Sequence, residues 1–393
     1  MTTAFHSDAT AARPTLVCFS HLRWDFVFQR PQHLLSRAAR RWNVLYIEEP
    51  HFEAGMSEPR MERSMTDEGV ERLIPILREG VGADEAIAQQ RQLIDTVLQA
   101  LPRPPAVAWY YTPMALRFTD HLRPPVVVYD CMDALSHFKG APPELVALES
   151  RLLEIADIVF TGGHSLYEAK RQLHNNVHAF PSSVDTAHFK PARNRSQPEP
   201  ADVEGIPHPR IGYFGVVDER IDIDLIAAVA SERPDWHIMM IGPTAKIDPA
   251  TLPRSANLHW LGMKKYVELP RYLAGLDVGW MPFAINDATK FISPTKTPEF
   301  LAAGVPVVST PVSDVVRTWG HDASVTIAGD AQSSIKAIAD TLANGRPEAW
   351  LSAVDRKLAE GSWDETWGRM QALIEDADPE LRDDCSETAP IAT

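Results

Sequence analysis

What most constrains the fold of this chain is an alternation of short apolar, β-branched runs with stretches of helical periodicity. It occurs in two series separated by a proline-rich interruption. Residues 15–20, 43–47, 73–77, 106–111, 126–129 and 158–161 read as strands. Helical spacing fills the gaps at 31–41, where Leu34, Leu35 and Ala38 share a face, and at 83–101, 144–156 and 165–173. The strand runs are apolar on both sides, as for strands covered on both faces, and parallel neighbours need crossover helices between them. The pattern therefore predicts a doubly wound parallel sheet. Residues 50–70 are polar and read as a surface loop.

Past residue 190 the composition turns to proline and polar residues, PARNRSQPEPADVEGIPHP, which predicts a linker over 191–209. A second series follows, with strands at 210–215, 237–241, 258–261, 278–282 and 305–309 and helices near 222–232, 266–275, 298–303 and 331–343. The expected domains are thus 1–190 and 210–361. Residues 362–376 read as an amphipathic helix capped by Ser362, and the acidic 377–393 as a disordered tail.

With 393 residues the chain can bury two cores. A net charge of −15 argues against a nucleic-acid partner, because phosphate contacts need cations. No apolar run approaches the roughly 20 residues that span a bilayer. The first residues, MTTAFHSDATAARP, lack the apolar centre of a secretory leader. A cytoplasmic location is the expectation. Cys18, Cys131 and Cys385 make no disulfide or zinc spacing, and the first two fall in strand runs as buried thiols. Arg37, Arg40 and Arg41 cluster on one predicted helix. That cluster suits a solvated face or, alternatively, a peripheral contact with anionic lipid at the inner face of the cell membrane.

The stretch ISPTKTPEFLAAGVPVVST, residues 292–310, carries the chemistry. Thr297 is expected as a helix cap, with Pro298 at the first helical position and Glu299 in the first turn. Gly304 ends the helix and a buried strand follows. Free amides, the helix dipole and Lys296 converge on one place suited to an anion. Glu299, one turn away, can accept two hydroxyl hydrogen bonds. Phosphate beside a diol is the chemistry of a nucleotide sugar.

Ser293, Pro294, Lys296, Glu299, Ala302, Gly304, Pro306, Val307 and Val308 resemble the nucleotide-sugar motif of GT-B glycosyltransferases, above all the retaining family numbered four. The resemblance implies an α/β GT-B fold, two Rossmann-like doubly wound domains facing each other across a cleft. It implies that Glu299 holds the donor ribose and Lys296 the diphosphate, with Ser293, Pro294, Thr295 and Thr297 around them. Many members carry a second glutamate eight positions earlier, where this chain has Phe291. In IGYFGVVDERID, Gly215 matches the family's glycine, Val216 replaces its arginine, and Arg220 falls near the family's lysine. Gly242 and Met263 end strands where the family frames the nucleotide. Asp222-Ile223-Asp224 spells the metal motif of a different glycosyltransferase fold, but acids at a helix start need no metal, and neither metal nor cofactor is expected.

The loop after the first strand, SHLRWDFVFQRPQHLL, resembles the opening of bacterial cell-surface polysaccharide glycosyltransferases through Arg23, Trp24, Asp25, Gln29, Arg30 and Pro31. Ligands bind beyond strand ends in parallel sheets, so this loop should border the cleft. Arg23, Trp24, Gln29 and Arg30 become candidates for the acceptor, the indole for stacking on a sugar face. A purely structural loop fits these residues too. In YDCMDALSHF, Asp133 and His137 are candidates for chemistry at the transferred sugar, together with Asp25, although Asp133 also suits a helix cap. Val184, Asp185 and Phe189 resemble the segment that closes the family's first domain.

The implied function is transfer from a nucleotide sugar, UDP-sugar foremost, to a saccharide or lipid-linked acceptor, with retention and without a metal. Three rivals stand beside it. One is a nucleotide-sugar 2-epimerase. Another is a non-catalytic binder of nucleotide sugar or of a partner. The third is a dinucleotide oxidoreductase, for which neither half supplies Gly-x-Gly-x-x-Gly after a strand.

Overall fold

The computed structural model describes residues 13–321 and 324–382. The first domain is built on strands β1 (Thr15–Phe19), β2 (Asn43–Ile47), β3 (His51–Glu53), β4 (Arg60–Met65), β5 (Glu71–Arg78), β6 (Val107–Tyr110), β7 (Val126–Cys131), β8 (Ile158–Thr161) and β9 (Val177–Ala179). Their order is β3-β5-β2-β1-β6-β7-β8-β9, parallel throughout, with β4 antiparallel on β5. Strand alternation sorts the side chains into two cores. Leu16 and Cys18 face one layer, which includes Leu34, Leu35, Trp367 and Met370. Val17 and Phe19 face the other, which includes Ile94, Leu116 and Leu152. Both Cys18 and Cys131 are buried free thiols; Cys385 lies outside the described residues.

The second sheet holds β10 (Arg210–Phe214), β11 (His237–Ile241), β12 (Leu258–Gly262), β13 (Val278–Met281), β14 (Val307–Ser309) and β15 (Val325–Ile327). It is parallel in the order β12-β11-β10-β13-β14-β15. In each sheet the chain winds outward from its first strand and then returns to that strand's other side, so winding reverses between β1 and β6 and between β10 and β13. A crevice opens beyond the strand ends at each reversal.

Four expectations need correction. Residues 50–70 are not a loop. They supply β3 and β4, whose exposed side chains carry no apolar period, because this edge is held by backbone pairing to β5. Residues 191–209 are not a free linker. Ala192 and Val203 are buried in the second core, and ion pairs Arg193–Asp355, Arg195–Asp277 and Arg210–Glu199 tie the segment down. The chain crosses between domains before 190, since Val184 and Phe189 already pack in the second core. Finally, residues 380–382 continue in helical conformation with Leu381 buried in the first core, where a disordered tail was expected; 383–393 lie outside the described residues.

The helix Trp363–Ala377 returns to the first domain, capped by Ser362 Oγ, which accepts from the Glu365 amide at 3.1 Å. Trp363, Trp367, Met370 and Ile374 enter the first core. Asp364 receives Arg37 at 2.9 Å and Arg40 at 2.7 Å. Two of the three arginines considered for lipid contact, Arg37 and Arg40, therefore pair with this helix. Among the described residues no helix is long and apolar enough to cross a membrane.

Candidate functional site

A cavity of about 760 Å3 lies between the domains at the two reversal points. The second domain supplies its floor. After β10 the chain turns at Gly215, with φ 138°, and after β11 at Gly242, with φ 147°. A Cβ on Gly242 would run into the Gly215 carbonyl, and one on Gly215 into Tyr213 Oη and Lys296 Cε. Both backbone conformation and close approach thus demand glycine here, and the cavity floor is bare main chain. Met263, half exposed, lines the same wall after β12.

Ser293, Pro294, Thr295 and Lys296 form the adjoining wall. The helix runs Lys296–Ala302, starting two residues earlier than expected, with Thr295 at its cap position. Thr297 is the correction. It lies inside the first turn, fully buried, its hydroxyl on Met281 Sδ at 3.5 Å, so it does not face the cavity. Lys296 Nζ donates to Thr295 Oγ1 at 2.7 Å and Glu299 Oε2 at 3.1 Å, and sits 5.1 Å from the Phe214 ring. Glu299 is 4% exposed and lies under Lys296. Burial raises its carboxyl above the ordinary range, against the pull of the Lys296 ammonium. Lys296 at the wall with Glu299 beneath it forms a charge pair that an anionic ligand can part, taking the cation while leaving the carboxylate for hydroxyls.

Arg220 also lines the cavity, its guanidinium held by three contacts of 2.7–3.1 Å to Asp218 and stacked over Phe138 at 5.7 Å. The position of the family's second glutamate, Phe291, packs against the first-domain core instead. Asp222 caps the helix Ile223–Glu232 through the Leu225 amide at 2.8 Å. Among the described residues no group of three or more metal-ligating side chains is gathered.

The first domain gives the opposite wall, and here several sequence candidates part company. Gln29 lines the cavity, as does Asp25, exposed and paired with Arg72. Arg23 bonds Glu48 at 3.2 Å and the carbonyls of Glu49 and Pro50, facing a neighbouring cavity. Trp24 lines the cavity as well, with little of its indole free. It is 5% exposed and edge-on to Tyr46 at 5.0 Å, with its backbone held by Glu48. Arg30 also lines the cavity, with its guanidinium already engaged. It is 2% exposed, chelates Asp130 at 2.9–3.1 Å and donates to the Phe180 carbonyl at 2.7 Å. Alternation along β7 turns Asp130 to the layer of the helix Arg30–Ala38, which explains the pairing. His137 is exposed and edge-on to Phe291 at 5.3 Å, outside the linings of both cavities.

Asp133 lies where the two cavities meet, and burial raises its carboxyl from 3.8 to about 6. Sequence reasoning missed three contributors. Ser64 and Arg72 reach the first cavity from the edge hairpin taken for a loop. His21, in the second cavity's lining, follows directly on β1, a position the strand-end rule should have flagged.

Comparison with known proteins agrees with this arrangement. Residues 208–344 match the family described as Glycosyl transferases group 1. The putative teichuronic acid biosynthesis glycosyltransferase TuaH of Bacillus subtilis is 28% identical over 202 residues, covering 47% of this chain. The match spans 50% of that relative's length. Sucrose-phosphate synthase of Thermosynechococcus elongatus superposes with a TM-score of 0.69 at 15% identity, over 94% of this chain and 100% of that one. HepE of Anabaena, solved with UDP and glucose, gives 0.59 at 14% identity, over 96% and 100%. The fold is the two-domain GT-B fold.

Proposed function

We propose that this chain, whose residues 208–344 form a glycosyl transferases group 1 domain on a GT-B fold, is a glycosyltransferase in cell-surface polysaccharide synthesis. It takes a nucleotide sugar, UDP-sugar foremost, and a saccharide or lipid-linked acceptor. The observation that carries this is Lys296 on the wall of an interdomain cavity with Glu299 directly beneath, beside the bare backbone of Gly215 and Gly242. The donor diphosphate draws Lys296 away from Glu299, which then accepts the ribose hydroxyls. In the retaining step the bond from the anomeric carbon to the diphosphate breaks and a bond to the acceptor oxygen forms on the same face. The acceptor's proton passes to the departing diphosphate. Lys296 and Arg220 stabilise the charge that grows there, and such preorganised groups contribute about 2.7–4 kcal/mol each in other enzymes. The walls from both domains exclude water, which limits donor hydrolysis. No metal is required in this scheme.

A second reading, a donor-binding protein without turnover, draws support from Phe291 and Val216, which stand where related proteins carry a glutamate and an arginine. Calorimetric titration with UDP, GDP and their sugars, followed by product analysis with added acceptors, separates the two. The expected outcome is UDP binding with turnover, a Glu299→Ala variant weakened by about 1–3 kcal/mol toward UDP, and a Lys296→Ala variant that loses more turnover than stability. A folded Glu299→Ala protein with unchanged affinity for UDP and GDP would overturn the ribose assignment.

A further inference from the structure

Arg220 lines both cavities, and its own domain holds it along one edge only. Asp218 takes Nε and Nη2 at 2.7–3.1 Å. Nη1 has no protein partner among the described residues. A guanidinium is a rigid plane, and a plane held along one edge still swings about that edge. To fix the direction of Nη1 takes a second contact, on the face of the plane.

That contact comes from the other domain. Phe138 closes the short helical turn Leu135–His137, which follows β7, and is half-buried. Arg220 Cζ stands over its ring at 5.7 Å. Lys246, which follows β11 in the second domain, stands over the same ring at 5.2 Å. Lys246 is the one non-glycine residue with a positive φ, 60°, among the described residues. Side chains with a Cβ seldom take that conformation. Two cations of the second domain thus meet one aromatic ring of the first, and the negative face of a benzene ring attracts both. Beside the ring the Lys139 amide donates to the Glu219 carboxylate at 3.1 and 3.2 Å. Residues 138–139 and 219–220 therefore meet through a ring face and a hydrogen bond, and only while the two domains are together.

We infer that Phe138 is a positioning residue for the donor. Its ring fixes the tilt of the Arg220 guanidinium, so that Nη1 is presented to the diphosphate only when the first domain is in place. Lys246 gives the ring a second hold. This rests on the donor reading for the diphosphate, but not for the coupling of Phe138 to Arg220.

The test is calorimetric titration of the full chain with UMP, UDP, GMP and GDP. Each pair differs by one phosphate, so the ratio within a pair isolates what the cations contribute. Phe138→Leu keeps the apolar bulk and removes the ring face. It should weaken the diphosphate about three- to tenfold and the monophosphate less than about twofold, the span of a partly desolvated cation–π contact. Turnover of the nucleotide sugar should fall with it. Phe138→Tyr keeps the face and should keep the wild-type ratio. Trifluorophenylalanine in place of Phe138 keeps shape and packing but drains the face of charge, and it should lower the ratio in the same direction. An unchanged ratio in folded Phe138→Leu and in the fluorinated protein overturns the proposal. If neither diphosphate binds more tightly than its monophosphate in the wild type, the donor reading falls. The nuclear magnetic resonance signal of the Arg220 Nε–H, assigned with Arg220→Lys, then decides the coupling. A ring-current shift that disappears in Phe138→Leu upholds it, and an unmoved signal refutes it.

Discussion

Asp130 and Asp133 lie three residues apart and serve opposite ends. Asp130 points along the pleat into the first core, is fully buried and is neutralised by Arg30. Asp133, just past the end of β7, lies at the junction of the two cavities. Burial keeps its proton on up to about pH 6 in the folded chain, whereas an unfolded aspartate releases it near pH 4. Between those limits the native state binds more protons, so this group's contribution to stability is lost as pH rises from about 4 to about 6. Activity that needs the carboxylate runs the other way. The expected pH profile of kcat/KM has an acid limb with an apparent pKa near 6, and Asp133→Asn removes that limb and flattens the matching slope in stability. A wild-type profile flat from pH 5 to 7 would refute the role.

At the scale of elements, the helix Trp363–Ala377 belongs to the first domain although the second precedes it in sequence. Trp367 is 6% exposed and packs 6.2 Å from Trp109, ring centre to ring centre. Trp367→Ala removes a large side chain from a closed core and is expected to cost about 3–5 kcal/mol in denaturant unfolding monitored by circular dichroism. UDP affinity of the protein that remains folded should be unchanged, because the donor floor is built from the other domain. The reverse pattern, normal stability with lost UDP binding, would mean the helix shapes the donor site instead. The edge strand β4 shows the same dependence on distant partners. Four of its six side chains are exposed, yet its pairing with β5 sets Ser64 opposite Arg72 and brings both to the cavity.

For the whole molecule the question is what holds the two domains together. Asp314 of the second domain, 3% exposed, accepts from the Ser165 amide at 2.9 Å and from its hydroxyl, both in the first domain. Tyr266 is stacked between His188 at 3.9 Å and Phe28 at 4.5 Å, so an aromatic column bridges the domains near the donor wall. These contacts favour the closed arrangement. Asp314→Ala leaves the Ser165 groups without their partner, a loss of about 1–3 kcal/mol from closure. The expected outcome is a larger radius of gyration by small-angle scattering and a donor KM raised about tenfold, with the unfolding midpoints of both cores little changed. Identical scattering and KM would show that closure does not depend on this contact.

Local sequence determined the sheets, because β-branched runs and crossover helices carry their own periodicity. It also marked the stretch 292–310, where Lys296, Glu299 and Gly304 are neighbours along the chain. Only tertiary structure decided how the residues after β1 and β7 are engaged. Arg30 and Trp24 have the chemistry of a binding site but were spent on Asp130 and Tyr46, partners about 100 and 22 residues distant in the chain. His21 Nδ1 is buried with no hydrogen-bond partner, which no local pattern foretold. Side-chain fate of this kind depends on partners that no short window contains, and so does the backbone of the edge strands β3 and β4, which β5 holds.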